Sequence, residues 1–133
     1  MLGRNFRLRA SNTQNQNITV TVKARYFKFA SDGSLSWSAE QTLISAVSVS
    51  ATTGTTASST VDNSTDKYLG MEITAEFTAA SATNGSGSVA LTIERSTDGG
   101  TTWPTQDLGQ WVGGHTLTAA DSTNARRRNF LIR

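Results

Sequence analysis

Apolar and polar residues alternate along most of this chain with a period of two, the pattern of strands that bury one face in a sheet. In 4–10, Phe6, Leu8 and Ala10 fall on one side and Arg7 and Arg9 on the other. The longest run is 18–29. Ile18, Val20, Val22, Ala24 and Tyr26 share a face opposite Thr19, Thr21, Lys23 and Arg25. Phe27 and Phe29 then place aromatics on that polar face, which predicts a bulge, a bend or a surface covered by a partner. Ser31-Asp32-Gly33-Ser34 predicts a turn, with Leu35 and Trp37 opening the return strand. Segment 42–50 predicts a strand with Leu43, Val47 and Val49 on one face. In 67–78, Leu69, Met71, Ile73, Ala75 and Phe77 are expected inside, with Glu72 and Glu76 outside. Val89, Leu91 and Ile93 form the next inward row, and 107–112 and 125–132 supply the last two strands.

Two stretches, 51–60 and 79–88, are rich in small residues and carry no charge, so they read as loops. About eight short strands with turn signals between them predict an all-β fold: a single antiparallel β-sandwich, jelly-roll or immunoglobulin-like, spanning 1–133. No solenoid-length repeat and no domain boundary stands out.

Composition agrees. The chain has 133 residues, 21 Thr and 16 Ser, and only 17% of it is charged. Threonine suits a pleated, half-exposed surface. Without cysteine there is no disulfide or thiolate metal site, and no cofactor is expected. No apolar run approaches the ~20 residues that span a bilayer, and no apolar stretch follows the basic N-terminal residues as in a signal peptide, so neither a membrane nor export by that route is expected.

Charge is unevenly distributed. Arg4, Arg7, Arg9, Arg126, Arg127, Arg128 and Arg133 cluster in 1–9 and 126–133, where there is no acid, and the remainder of the chain is acidic. This predicts a basic N-terminal arm, 1–9, and a basic C-terminal strand, 125–133. Arg126-Arg127-Arg128 has three readings: forked bonds to an acidic surface on a neighbouring subunit, favoured here, edge charges that discourage sheet-to-sheet aggregation, or contact with nucleic acid. No RNP-like aromatic motif supports the last.

The sharpest motif is Ser96-Thr97-Asp98-Gly99-Gly100-Thr101-Thr102-Trp103. It resembles the Asp-box, S-x-D-x-G-x-T-W, of sialidases and other β-propellers. There the motif recurs on several blades, away from the catalytic centre. One copy in a chain this short implies a structural hairpin: Asp98 bonded to its own turn, Gly99 and Gly100 in tight conformations, Trp103 packed over the base.

Other candidate chemistry is weaker. Asp62-Asn63-Ser64-Thr65-Asp66 opens like a calcium loop, but Lys67 replaces the glycine at position six and Ile73 the glutamate at position twelve; an Asx-type turn is the expectation. His115, beside Gly113 and Gly114, reads as part of a flexible connection. Glu72, Glu76 and Glu94 read as a solvated strand face, and no catalytic residues are assigned.

Three segments together resemble small structural proteins of tailed bacteriophage virions: Arg25-Tyr26-Phe27-Lys28-Phe29 before Ser31-Asp32-Gly33, 61–69 leading into a long strand, and Glu94-Arg95 running into the Asp-box with a basic strand closing the chain. The resemblance implies a non-enzymatic capsid decoration or cement protein, assembled in the host cytoplasm and located in the virion. Its partners would be capsid or tail subunits and further copies of itself, with Arg4, Arg7, Arg9, Phe27, Phe29, Arg126, Arg127 and Arg128 as contacts. The arm could add a strand to a neighbour, and the uncharged loops could order only on contact. The alternatives are a neck, tail or fibre-adaptor component and, from another class, a carbohydrate-binding module using Trp37, Trp103 or Trp111.

Overall fold

A computed structural model describes residues 2–79, 87–103, 110–116 and 126–133. Among them are ten strands and no helix: β1 (Asn5–Asn12), β2 (Ile18–Phe29), β3 (Leu35–Trp37), β4 (Gln41–Val49), β5 (Gly54–Ala57), β6 (Val61–Asp62), β7 (Gly70–Ala79), β8 (Val89–Ser96), β9 (Gln110–His115) and β10 (Arg126–Ile132).

They form two five-stranded antiparallel sheets packed as a sandwich. One runs β5-β1-β8-β9, with β6 beside β5 on the same side of β1. The other runs β10-β7-β2-β3, with β4 beside β3 on the same side of β2. Each short pair therefore acts as one edge. Counted so, the order is that of an eight-position jelly roll with the chain opened at a different connection.

The inward rows match the alternation. Phe6, Leu8, Ala10, Ile18, Val20, Val22, Ala24, Tyr26, Met71, Ile73, Ala75, Phe77, Val89, Leu91 and Ile93 are all buried in one core. Each Val, Leu, Ile, Met or Phe among them contributes roughly 1.5–3 kcal/mol by leaving water, and each alanine methyl less. Phe6 meets Tyr26 edge-on at 6.1 Å, and Tyr26 stacks on Tyr68 at 5.1 Å.

The structure corrects several expectations. Residues 5–9 are not a free arm: they lie in β1, paired to β8 on one side and to β5 or β6 on the other. Phe6 and Leu8 cannot leave the core without exposing their whole surface, which fixes the segment. The 51–60 stretch is not wholly loop, because Gly54–Ala57 forms β5 along β1. Its β-branched threonines and backbone hydrogen bonds suffice on a preformed edge. In β4 the buried residues are Ile44 and Val49, while Leu43 is half-buried and Val47 exposed. Val49 opposes Ile18 and Ile44 opposes Val22, so β4 carries an extra residue over that span. Ala46 there takes a φ of 48°, and its N–H bonds to Thr21 Oγ1. The bulge thus falls opposite the middle of β2, and the aromatics at its end remain in regular pairing with β3. Gly113 and Gly114 are not a flexible connection but part of β9, opposite Leu91 and Ala90. The expected strand 107–112 begins at Gln110 among the described residues, and 80–86 of the second uncharged stretch lie outside them.

Candidate interaction surfaces

The Asp-box residues close on themselves. Ser96, at the end of β8, donates its hydroxyl to Asp98 Oδ1 at 2.6 Å and accepts the Gly100 N–H at 2.9 Å. Asp98 also accepts the N–H groups of Thr101 and Thr102 and the Thr102 hydroxyl. These donors favour the charged form and hold the Asp98 carboxyl far below the usual carboxylate range; the Ser96 hydroxyl is the largest contributor. Gly99 and Gly100 take φ of 78° and 91°, conformations that β-carbons disfavour. All of Asp98's bonds serve the turn, so it is a structural residue. Trp103 is half-buried, with the Arg7 guanidinium 4.3 Å from its ring centroid.

Arg7 leads to a second cluster. On the outer face of β1 and β8, Glu94 accepts Arg7 Nε at 2.7 Å and Arg9 Nη1 at 3.1 Å. Glu94 is fully buried, where alternation predicts a solvated face. The two arginine side chains close over the carboxylate, and Trp103 in turn lies against Arg7. Arg7 and Arg9, expected to meet a partner, are engaged inside the chain.

The outer face of the second sheet behaves differently. Arg25 pairs with Glu72 at 2.6 Å, Arg127 with Glu76 at 2.8 Å and Lys23 with Glu40 at 3.0 Å. These pairs are exposed and contribute little stability, roughly 0–1 kcal/mol each. They do place Glu72 and Glu76 outside, as alternation predicts. Arg126 and Arg128 lie on the opposite face of β10 from Arg127, in register with Phe77 and Ala75, and all three arginines are exposed.

At the far end of this sheet the charged ladder gives way to apolar side chains. Phe27 packs against Trp37 at 5.1 Å. Phe29 is 63% exposed, Leu35 51%, Leu131 50% and Trp37 40%. An open groove of about 470 Å³ lies between Phe27, Leu35, Trp37, Leu69 and Leu131. Gly70, opposite Phe27 in the ladder, makes room for the Phe27 ring: a β-carbon there would collide with that ring and with the Ile132 carbonyl. The sequence marked Phe27 and Phe29 as aromatics on the polar face and Leu35 and Trp37 as the start of the return strand. The pairing of β2 with β3 sets Trp37 beside Phe27 and Leu35 beside Phe29. The sequence did not mark Leu131, which the β10–β7 pairing brings to Glu72 and so to the same face.

The Asp62 turn forms as expected, with the Ser64 N–H donating to Asp62 Oδ1 at 2.8 Å. Asp66 pairs with Lys28 at 3.2 Å. Asn63 is buried, and its side-chain amide binds both the N–H and the carbonyl of Tyr68. Arg4 is exposed beside this turn, its carbonyl accepting the Asn63 N–H at 2.7 Å. Among the described residues, no three His, Cys, Asp or Glu gather as metal ligands.

Comparison with known proteins adds no relative: no family model, curated protein or solved structure matches the chain.

Proposed function

We propose that the chain is a non-enzymatic structural protein of a tailed-bacteriophage virion, a decoration or cement protein seated on the major capsid shell. The observation that carries this reading is the apolar end of the second sheet. Phe29 on β2, Leu35 and Trp37 on β3 and Leu131 on β10 are large apolar residues left at least 40% exposed on the outer face at one end of this sheet. A contiguous apolar patch of this kind marks a surface made to be covered. The carboxylates offered by alternation support a structural role, because Glu72, Glu76 and Glu94 are each bonded to arginine. The likeness of the three quoted segments to virion proteins supplies the setting. Binding to a shell at high local concentration would add to the stability of so small a sandwich.

The test is copurification. Antibody or mass spectrometry should find the chain in purified particles at a copy number comparable with the capsid subunit. A far lower number moves it to the neck, tail or fibre adaptor. Absence from particles ends the reading.

One observation favours a second reading, glycan binding. Trp37 borders a groove with Arg25, Glu72, Asn129 and Leu131, an aromatic face beside hydrogen-bonding groups. Trp103 suits this role less, because Arg7 already lies over its ring. A glycan array with hits abolished by Trp37→Ala would replace the virion reading with this one.

A further inference from the structure

We propose that the end of the sandwich where β1 begins and β2, β8 and β10 finish binds an acidic protein segment carrying an apolar anchor. This rests on the reading of the chain as a structural protein that is held by partners, and it adds the partner's chemistry.

Backbone and packing contacts bring distant segments together here. The Leu2 N–H donates to the Leu69 carbonyl at 3.2 Å, and the Leu69 N–H to the Phe27 carbonyl at 2.9 Å. Gly3 lies against the Arg95 side chain. The apolar groove at Phe27, Trp37 and Leu131 therefore meets a second open groove, of about 500 Å³, between Leu2, Arg4, Lys67 and Tyr68. Leu69 lines both.

Cations surround the two grooves. Arg133 lines the first, Arg4 and Lys67 line the second, and Arg95 stands beside Gly3. All four are exposed, and none makes an ion pair with a described residue. The acids of this end line neither groove: Asp66 is paired with Lys28 and Glu72 with Arg25, while Asp62, Asp32 and Asp98 keep their charge within their own turns. Arg4 acts electrostatically on Asp62 without a direct bond.

The opposite end differs. Arg126, Arg127 and Arg128 reach it where β10 begins, Arg127 already paired with Glu76, while residues 10–22 and 77–93 contribute no charged side chain. Its described part is held instead by Asn12, which bonds to the carbonyls of Gln16, Val49 and Ser50. Cations lining an apolar floor call for negative charge around an apolar side chain. A protein segment supplies both. A nucleic-acid backbone supplies the charge but leaves the leucine-lined floor unfilled, and the chain's net charge is only +2.

The experiment is a titration of the purified full chain, followed by tryptophan fluorescence and calorimetry. The probe is a synthetic Glu-rich peptide with one central Phe. It should bind at least about tenfold more tightly than the same peptide with Lys for Glu, or with Ser for Phe. Raising salt from about 0.05 M to about 0.5 M should weaken it. Joint Arg4→Glu, Lys67→Glu, Arg95→Glu and Arg133→Glu substitution should reduce binding at least about tenfold with an unchanged circular dichroism spectrum. Leu131→Ser should also weaken it, and Arg127→Gln should not. Equal binding of the Glu and Lys peptides overturns the inference. So does indifference to the four reversals, or tighter binding of an oligonucleotide of equal charge. A chain that binds the peptide but is absent from particles loses only the virion assignment. A particle-bound chain that ignores the peptide loses only this inference.

Discussion

Glu94 and Arg7 stand directly opposite each other in the β1–β8 ladder, and Arg7 Nε reaches Glu94 Oε2 at 2.7 Å although the carboxylate is fully buried. Arg9 holds the other oxygen at 3.1 Å. A buried charge is tolerable only while its partners remain. Glu94→Ala would leave two guanidinium groups facing each other without a counter-charge. It should lower unfolding free energy by about 3–5 kcal/mol, measured by urea denaturation. Replacing all three residues with apolar ones of similar volume should cost much less. Equal losses in the single and triple variants would show that the pairing is not the cause.

The Asp98 turn predicts a dependence on acid. Its carboxyl titrates below the ordinary Asp value of about 3.9 because hydroxyl and N–H donors favour the ionised form. The folded value is the depressed one, so the stabilisation is complete above about pH 4 and falls away as pH drops further. Asp98→Asn should therefore be less stable than wild type at neutral pH. Thermal melts should show the gap closing below about pH 4. A gap that stays constant through the acid range contradicts the assignment.

Tyr26 predicts the opposite limb. Its hydroxyl is buried without a hydrogen-bond partner among the described residues, and burial, aided by Tyr68, pushes its pKa up to about 12. The fold thus favours the neutral phenol. That contribution is complete below the ordinary value of 10.0 and is lost as pH rises toward about 12. Tyr26→Phe should be within about 1 kcal/mol of wild type at neutral pH, since it removes only an unsatisfied group. At the alkaline limit it should gain on wild type by something on the order of 2 kcal/mol. Parallel alkaline unfolding curves for the two proteins would refute this.

Asn12 predicts a large effect from a residue without charge. Its Nδ2 donates to three carbonyls, at 2.8 Å to Gln16 and 3.1 Å to Val49 and Ser50, and its Oδ1 accepts the Gln14 N–H. Asn12→Ala strands the Gln14 N–H in the interior and removes the tie between the β1–β2 connection and the end of β4. A loss of about 2–3 kcal/mol is expected, with faster amide exchange at Gln14 and in the 49–52 backbone. A loss below about 0.5 kcal/mol would show that water replaces the amide without penalty.

Whatever depends on near neighbours was legible in the residue order. Period-two alternation named the inward rows of β1, β2, β7 and β8, because a strand sends successive side chains to opposite faces whatever it pairs with. The Asp-box and the Asp62 turn were legible because donor and acceptor lie within a few residues. Which strands become neighbours, by contrast, emerges from the folded chain as a whole. Glu94 is buried because Arg7, 87 residues away, is its ladder partner. β5 is a strand because β1 offers it an edge, not because its own residues are apolar. The extra residue between Val47 and Ile44 changes the parity of β4, which puts Ile44 rather than the expected Leu43 opposite the inward Val22. Arg4, Lys67, Arg95 and Arg133 share one end because burying both inner faces brings four distant segments there. Alternation fixes the face of each residue, but the pairing that buries most apolar surface is settled by the whole chain at once.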